Sequence, residues 1–207
     1  MSLHIINHPL LKHKMTILRS IDTKHQLFRQ LVSEITLLVT YEISRNVALQ
    51  EIEVTTPMTK TIGYELKDEV TVVPVLRAGL GMVEGITTLF PKAYIAHVGM
   101  YRDPKTLVPQ VYYKKFPKNI KDMDVYIVDP LLATGGSILA TIDILRQEGI
   151  KKITVVSLIG VDEGVDLVLK KYPEVEIYLA AKDEHLNNHS YIEPGLGDAG
   201  DRLFGTL

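Results

Sequence analysis

The sequence predicts an α/β fold, a doubly wound and mostly parallel sheet covered by helices, and three observations support it. Short, nearly all-apolar runs rich in β-branched residues recur along the chain, which is typical of strands buried on both faces of a parallel sheet. Helix-like segments separate the later runs, as crossover helices do. No linker, repeat or low-complexity tract divides the 207 residues. We therefore expect one domain over residues 1–207.

The predicted strands and helices alternate along most of the chain. A first helix is expected over residues 23–45, where apolar residues have helical spacing and Thr23 and Gln26 have capping-box spacing. The first half-dozen residues are expected to form a loosely held arm. The strands are predicted at residues 71–76, 93–98, 124–128, 153–159 and 175–180, and the other helices at residues 78–90, 136–148 and 162–172.

Two segments do not follow this alternation. Residues 98–118 predict a β-hairpin that projects from the sheet, with Asp103 and Pro104 opening its turn. Residues 187–207 are dense in Gly, Asp and Pro, and we expect them to be too rich in turn residues for a core element. Ligands of open α/β sheets bind beyond the carboxyl ends of the strands, so we expect the functional residues there.

Composition and charge exclude several classes of protein. With no cysteine there is no disulfide framework, thiolate metal site or cysteine nucleophile. The net charge of −2 argues against a nucleic-acid partner, which usually requires a basic excess. The seven histidines lack metal-ligand spacing, and no apolar run approaches the ~18 residues of a membrane span. Residues 1–9 lack the apolar core of a signal peptide, so we expect a soluble cytoplasmic protein.

The strongest motif covers residues 125–137, where an apolar strand ends in Asp129 and a short loop leads to Thr134-Gly135-Gly136-Ser137. Glycines let the backbone approach an anion closely, and the free N–H groups of a helix start favour a phosphate. Asp129 can accept hydrogen bonds from sugar hydroxyls. An ordinary capped strand–turn–helix is the alternative. The coincidence of the acid, two glycines and two hydroxyls favours the phosphate site. A Walker loop is excluded because the motif has no Gly-Lys-Ser/Thr.

This stretch resembles the signature of type I phosphoribosyltransferases, which bind 5-phosphoribosyl 1-diphosphate (PRPP). Most of them have two adjacent acids, whereas Pro130 occupies the second position here, a variant particular to the uracil phosphoribosyltransferase family. The resemblance implies that Asp129 holds the ribose hydroxyls and that residues 133–137 hold the 5′-phosphate. The implied PRPP-binding residues of this loop are Asp129, Pro130, Leu131, Leu132, Ala133, Thr134, Gly135, Gly136 and Ser137.

A second motif, residues 191–206, resembles the C-terminal uracil-binding signature of the same family. Its glycines and Pro194 favour a rigid loop with exposed backbone, which can read the alternating C=O and N–H groups of uracil. The alternative is a solvated C-terminal tail, but the presence of the first motif in the same chain favours the uracil-binding loop. The resemblance implies uracil contacts at Ile192, Gly197, Asp198 and Ala199, and it also places Asp198 near the ribose and diphosphate.

Two arginines are candidate diphosphate ligands. Arg77 lies in residues 75–82, between a predicted strand and a helix, which the resemblance identifies as the diphosphate loop; arginine binds phosphate oxygens through two charge-assisted bonds. Gly79 and Gly81 could instead open a dinucleotide fold, but residues 96–99 lack the acid that this fold requires. Arg102 matches the family's Tyr-Arg-Asp-Pro motif in a hairpin that resembles the family's flexible hood. Its alternative is a solvated arginine.

The resemblance implies transfer of the phosphoribosyl group from PRPP to N1 of uracil, which gives UMP and diphosphate in pyrimidine salvage. The implied catalytic residues are Asp198, Arg77 and Asp129, and Asp198 is the best candidate for a general base. The implied cofactor is Mg²⁺, bound mainly through PRPP. The resemblance also implies a homodimer or higher homo-oligomer, and GTP is a candidate activator because it activates some members of the family.

Two alternatives to this function stay open. One is a phosphoribosyltransferase for another base. The other is an RNA-binding regulator that senses UMP or PRPP, which requires a basic patch that the sequence does not display. The chain also departs from the family at Val161-Asp162, where Ala-Pro is expected. Asp162 can still cap the next helix, so we expect a local change in backbone geometry and unaltered chemistry.

Overall fold

The computed structural model describes residues 2–102 and 109–206. Its helices are α1 (Pro9–Arg19), α2 (His25–Ile43), α3 (Leu80–Leu89), α4 (Gly136–Gln147), α5 (Asp162–Lys171) and α6 (Ala199–Phe204). Its strands are β1 (Leu3–Ile5), β2 (Leu49–Thr55), β3 (Lys60–Leu66), β4 (Val70–Pro74), β5 (Tyr94–Ile95), β6 (His97–Arg102), β7 (Pro109–Lys115), β8 (Asp124–Val128), β9 (Leu131–Leu132), β10 (Ile153–Gly160), β11 (Glu176–Lys182), β12 (His185–Leu186) and β13 (Ile192–Glu193).

The central sheet has seven strands, in the order β1-β11-β10-β8-β4-β5, with β9 paired to β10. Every neighbouring pair in it is parallel, so the predicted parallel α/β fold is confirmed. The register sets Val128 opposite Pro74 of β4 and opposite Val156 of β10. The carboxyl ends of β4 and β8 therefore lie side by side, which positions the loops that follow them.

Helices cover both faces of the sheet because successive strand residues point to opposite sides. Val128 belongs to the core under α1, α2, α3 and α6, while its neighbour Ile127 belongs to the core under α4 and α5. The strands β4 and β8 are buried almost throughout. The predicted doubly wound arrangement follows from this burial on both faces.

Three antiparallel strand pairs lie outside the sheet in the described residues, namely β2–β3, β6–β7 and the short pair β12–β13. The β6–β7 hairpin confirms the hairpin predicted over residues 98–118, although its expected turn at Asp103 and Pro104 lies outside the described residues. The run expected as one strand at residues 93–98 divides into β5 and β6: β5 pairs with β4, and the chain then leaves the sheet. The β2–β3 hairpin was not predicted.

The N-terminal prediction is wrong. Residues 3–5 are not a loose arm but strand β1, which pairs with β11; three residues are too few to display a periodicity. Helix α1, which follows the β-region N-cap His8, was not predicted. The predicted capping box is also wrong, because α2 begins at His25 and the Thr23 hydroxyl donates to Ile17 O at 2.5 Å.

The predictions for α5 and for the C-terminal tail need similar corrections. Asp162 does not cap α5, since Val161 is the N-cap residue and Asp162 pairs with Lys182. The tail does contribute to the core: Leu196 and Leu203 are buried in it, and Leu203 lies on α6. A buried leucine on a six-residue helix gives too little pattern for sequence analysis. Within the described ranges, no helix is long and apolar enough to cross a membrane.

Candidate active site

Asp129 lies at the carboxyl end of β8 on a backbone that is fixed to the next strand. Its N–H donates to Val156 O at 3.2 Å, and Pro130 O accepts from the N–H groups of Leu158 and Ile159, both at 3.1 Å. These bonds extend the sheet pairing past the end of β8. The residues that the first motif singles out are therefore held by the centre of the fold.

The Asp129 carboxyl group is half-buried and packed closely by protein atoms, which shields it from water. Burial raises the pKa of Asp129 to about 7, and a 3.4 Å hydrogen bond from Leu131 N–H offsets this only in part. Among the described side chains, no cationic group forms an ion pair with it. Such a carboxylate is suited to accept hydrogen bonds from neutral hydroxyl groups.

The loop after Asp129 ends in the N-terminus of α4. Gly135, the N-cap residue, has φ +76°, and no side chain caps the helix, so the first N–H groups of α4 are available to an anion. A Cβ on Gly135 would lie 2.8 Å from Gly164 O, and one on Gly164 would lie 2.3 Å from Ala133 O. This loop thus rests directly on the start of α5, and the change at Val161-Asp162 leaves that contact intact.

The loop that carries Arg77 joins β4 to α3 beside Asp129. Val75 N–H donates to Val128 O at 2.9 Å, and a Cβ on Gly79 would lie 2.4 Å from the same oxygen. The Leu76–Arg77 peptide is cis. The Arg77 side chain is 62 % exposed and lies 3.3 Å from the Asp201 carboxylate. Arg77 therefore connects the end of β8 with the C-terminal segment.

The C-terminal loop joins β13 to α6 and contains two glycines at positive φ, Gly195 (+57°) and Gly197 (+80°). Asp198 is the N-cap of α6, and its Oδ1 accepts from Asp201 N–H at 2.8 Å. Gly197 and Asp198 are exposed, whereas Ile192 and Ala199 are buried. A ligand could thus contact Ile192 and Ala199 mainly through their backbone groups.

A cavity of about 580 Å³ opens between this loop and the turn that joins α1 to α2. Thr23, Lys24 and His25 line it on one side, and Gly197 and Asp198 line it on the other. This volume lies in the range of small-molecule sites. Residues 129–137 do not line the cavity, so it borders only the C-terminal part of the candidate site.

The structure brings together three of the four predicted segments. The β6–β7 hairpin starts beside the Arg77 loop, through a parallel bridge between Val75 and Val98. The side chain of Arg102 lies outside the described part of the chain, so its predicted role is untested. The backbone of Arg102 ends β6.

Sequence reasoning missed three residues that hold the C-terminal loop: Arg19, Asp183 and Arg202. Arg19 and Asp183 form a bidentate ion pair with two 2.6 Å contacts, and Arg202 donates to Leu196 O at 2.8 Å. Arg202 lies inside the second motif and could have been noticed there. Arg19 and Asp183 are separated by 164 residues, and no local pattern links them.

Comparison with known proteins agrees with these features. The model of the uracil phosphoribosyltransferase family matches residues 5–206. The chain belongs to this family. Uracil phosphoribosyltransferase of Finegoldia magna is 54% identical over 203 residues, which cover 98% of this chain and 97% of the relative. The protein of the same name from Streptococcus sanguinis is 48% identical, with 99% and 98% covered. Family membership confirms the resemblance inferred from the two motifs.

Solved structures support the same fold. The AQ2163 protein from Aquifex aeolicus superposes with a TM-score of 0.89 at 37% identity, covering 98% of this chain and 97% of the other. Adenine phosphoribosyltransferase from Trypanosoma brucei superposes with a TM-score of 0.59 at 13% identity, covering 87% and 84%. The second likeness concerns the fold alone. It confirms the predicted phosphoribosyltransferase-like architecture.

Proposed function

We propose that this enzyme transfers the 5-phosphoribosyl group from PRPP to N1 of uracil, giving UMP and diphosphate in pyrimidine salvage. One observation carries the proposal: Asp129, the uncapped start of α4 and the Arg77 loop meet at adjacent strand ends, and the C-terminal loop reaches Arg77. Family membership supports uracil as the base.

The 5′-phosphate binds at the start of α4. The free N–H groups of Gly136 and Ser137 and the hydroxyls of Thr134 and Ser137 supply donors, and the positive end of the helix favours the charge. Asp129 accepts hydrogen bonds from the ribose hydroxyls. The loop residues between them, Pro130, Leu131, Leu132, Ala133 and Gly135, enclose the phosphoribosyl group.

The diphosphate leaves toward Arg77 and Arg102. The bond between C1′ and the diphosphate oxygen breaks, a bond between C1′ and N1 forms, and the N1 proton is released. Arg77 is exposed and only 3.3 Å from Asp201, a weak surface pair that it can exchange for phosphate oxygens. Asp198, exposed at the cavity, is the candidate acceptor of the N1 proton.

The residues of the site are compatible with Mg²⁺ that would be bound together with PRPP. In the described parts of the chain, no group of three or more His, Asp or Glu side chains is arranged to hold a metal ion. Substrate phosphates and water would be the main ligands of the ion, and Asp129, at the end of β8, would be the carboxylate that the protein offers. When bound, Mg²⁺ neutralises charge on the leaving diphosphate.

Uracil is recognised by the C-terminal loop. The backbone groups of Ile192, Gly197, Asp198 and Ala199 supply donors and acceptors for its flat edge. The β6–β7 hairpin closes over PRPP and excludes water that would hydrolyse it. The proposed partners are thus the small molecules uracil and PRPP. The slightly acidic charge of the chain agrees with a protein that binds neither nucleic acid nor a membrane. We propose that it acts in the cytoplasm.

The enzyme acts as a homodimer or higher homo-oligomer, and GTP is a candidate activator. The β2–β3 hairpin supports self-association because one of its faces exposes Leu49, Ile62, Tyr64 and Leu66. Exposed apolar surface of this kind marks protein contacts. Sedimentation of the purified chain measures its oligomeric state, and the transfer assay with and without GTP measures activation.

The decisive experiment is a transfer assay with PRPP, Mg²⁺ and radiolabelled uracil, run beside cytosine, hypoxanthine and orotate, with and without GTP. We expect UMP from uracil and little or no product from the other bases. Equal turnover of another base would contradict the proposed preference for uracil. No product from any base, together with a salt-dependent gel shift on RNA, would favour the regulator instead.

A further inference from the structure

We propose that Arg19, Asp183 and Arg202 are positioning residues for uracil: they fix the backbone of residues 195–196 so that the next residues present their backbone groups to the base. We call these three side chains the loop clamp. The inference rests on the proposed function. It adds three residues, none of them in the set that the motifs assign to PRPP or uracil.

The ion pair of the clamp binds both backbone groups of Gly195. The Gly195 N–H donates to Asp183 Oδ2 at 2.9 Å, and the Gly195 carbonyl accepts from Arg19 Nη1 at 2.8 Å. The Asp183 side chain is only 5 % exposed, so these charge-assisted bonds are shielded from water and are stronger than surface contacts. One residue of the loop is therefore held at two points.

Gly195 lies in tight contact with the backbone of Ile192. A Cβ on Gly195 would lie 2.0 Å from Ile192 O, and its φ of +57° favours glycine. The loop thus closes tightly on Ile192, one of the residues proposed to contact uracil. A shift of Gly195 would move this carbonyl as well.

Arg202 holds the next residue. Its guanidinium donates to Leu196 O at 2.8 Å, to Ser20 O at 2.6 Å and to Thr23 O at 3.3 Å. It also lies 4.4 Å from the centre of the Phe28 ring. The carbonyls of Gly195 and Leu196 are thus both bound by arginines, and the loop is joined to the turn between α1 and α2.

These contacts indicate that the clamp orients the peptide groups of the loop and does not merely stabilise the whole protein. A site that reads a base through its backbone depends on the orientation of its peptide groups. Residues 195 and 196 directly precede Gly197, Asp198 and Ala199. PRPP, in contrast, is assigned mainly to loops after β4 and β8, which the clamp does not contact. Loosening the clamp should therefore weaken uracil binding selectively.

The first test compares Asp183→Asn and Arg202→Lys with a matched control, Arg146→Lys. Arg146 has similar partners, namely the carbonyls of Ile150 and Lys151, the Glu174 carboxylate and the ring of Tyr172, but it lies at the end of α4. In the clamp variants we expect the KM for uracil to rise about tenfold or more and the KM for PRPP to change less than about twofold. The control should change neither. An equal rise for both substrates would overturn the proposal.

The second test does not require activity. Hydrogen–deuterium exchange of residues 193–200 in the ligand-free protein should be faster in both clamp variants than in the wild type and in Arg146→Lys. Unchanged exchange would contradict the clamp even if the proposed function holds. A wild-type protein that makes no UMP would contradict the proposed function and the role of the clamp toward uracil, while faster exchange in the variants would still show that the clamp holds the loop. If Asp183→Asn does not fold, Arg19→Lys, which keeps the charge and loses the bidentate geometry, gives the same two readouts.

Discussion

The two halves of the candidate site are stabilised in different ways. The loop over residues 129–137 is held by backbone bonds to β10 and by its contact with Gly164, all within the sheet and its crossover helices. The loop over residues 192–198 is held by the side chains of Arg19, Asp183 and Arg202. The proposed phosphate site is thus held in place by backbone contacts, while the proposed base loop depends on ionic contacts between distant parts of the chain.

The largest expected effect concerns Asp198 in the base loop. Asp198→Asn should keep the fold, because Asn caps a helix N-terminus as well as Asp, and should lower kcat by about a hundredfold or more if the carboxylate accepts the N1 proton. Single-turnover kinetics and a thermal melt measure the two properties. Full activity of the variant would remove Asp198 from the mechanism and leave it as a helix cap.

Gly135 tests the backbone-held half. Gly135→Ala places a Cβ at positive φ and 2.8 Å from Gly164 O, so the loop must shift, and we expect kcat/KM for PRPP to fall by about a hundredfold, as a displacement of about 1 Å in a reacting site can cause.

The matched control for this variant is Gly149→Ala. Gly149 has φ +83°, but a Cβ there would meet only the Lys121 side chain, at 3.4 Å. Both variants should lose ~1 kcal/mol of stability from backbone strain, and only Gly135→Ala should lose PRPP binding. Similar losses of activity in the two variants would mean that the phosphate loop has no special role.

Arg77 lies between the two halves of the candidate site, and its substitution tests whether the two substrates bind in different halves. Arg77→Ala should raise the KM for PRPP by about tenfold or more, since charge-assisted bonds to phosphate are lost, and should affect the KM for uracil much less. Initial rates with each substrate varied in turn measure this ratio. An equal loss for both substrates would assign Arg77 to the structural contact with Asp201 instead.

Sequence patterns predicted what is local in this molecule. The buried strands β4, β8 and β10 and the helices α3, α4 and α5 follow from apolar runs and periodicity, and Asp129 and Gly135 lie in one continuous motif. The strand β1 escaped prediction because three residues carry no period. The Arg19–Asp183 pair escaped because its partners meet only when the α1–α2 turn and the segment after β11 pack against the same loop. A short stretch of sequence does not contain both partners of such a long-range ionic contact, so no local pattern predicts it.

A separate effect, on stability and not on turnover, is a pH dependence that comes from Asp129. Burial raises the pKa of its carboxyl from 3.8 in model compounds to about 7 in the folded protein. Between these two pH values the folded state binds the proton and the unfolded state does not, so the contribution of Asp129 to stability falls as pH rises from about 4 to about 7. The loss is at most about 4 kcal/mol, since each pKa unit is worth ~1.4 kcal/mol.

Thermal melts of the ligand-free wild type and of Asp129→Asn, recorded from pH 5 to 8, measure this contribution. We expect the wild type to lose stability relative to the variant over this range, while its KM for PRPP improves, because only the ionised carboxylate accepts hydrogen bonds from both ribose hydroxyls. The variant should lack the component of the PRPP pH profile that belongs to Asp129 and keep the part due to the substrate phosphates. Parallel stability curves would mean that Asp129 is already ionised at pH 5, and the base of the phosphoribosyl site would then be more hydrated than its burial indicates.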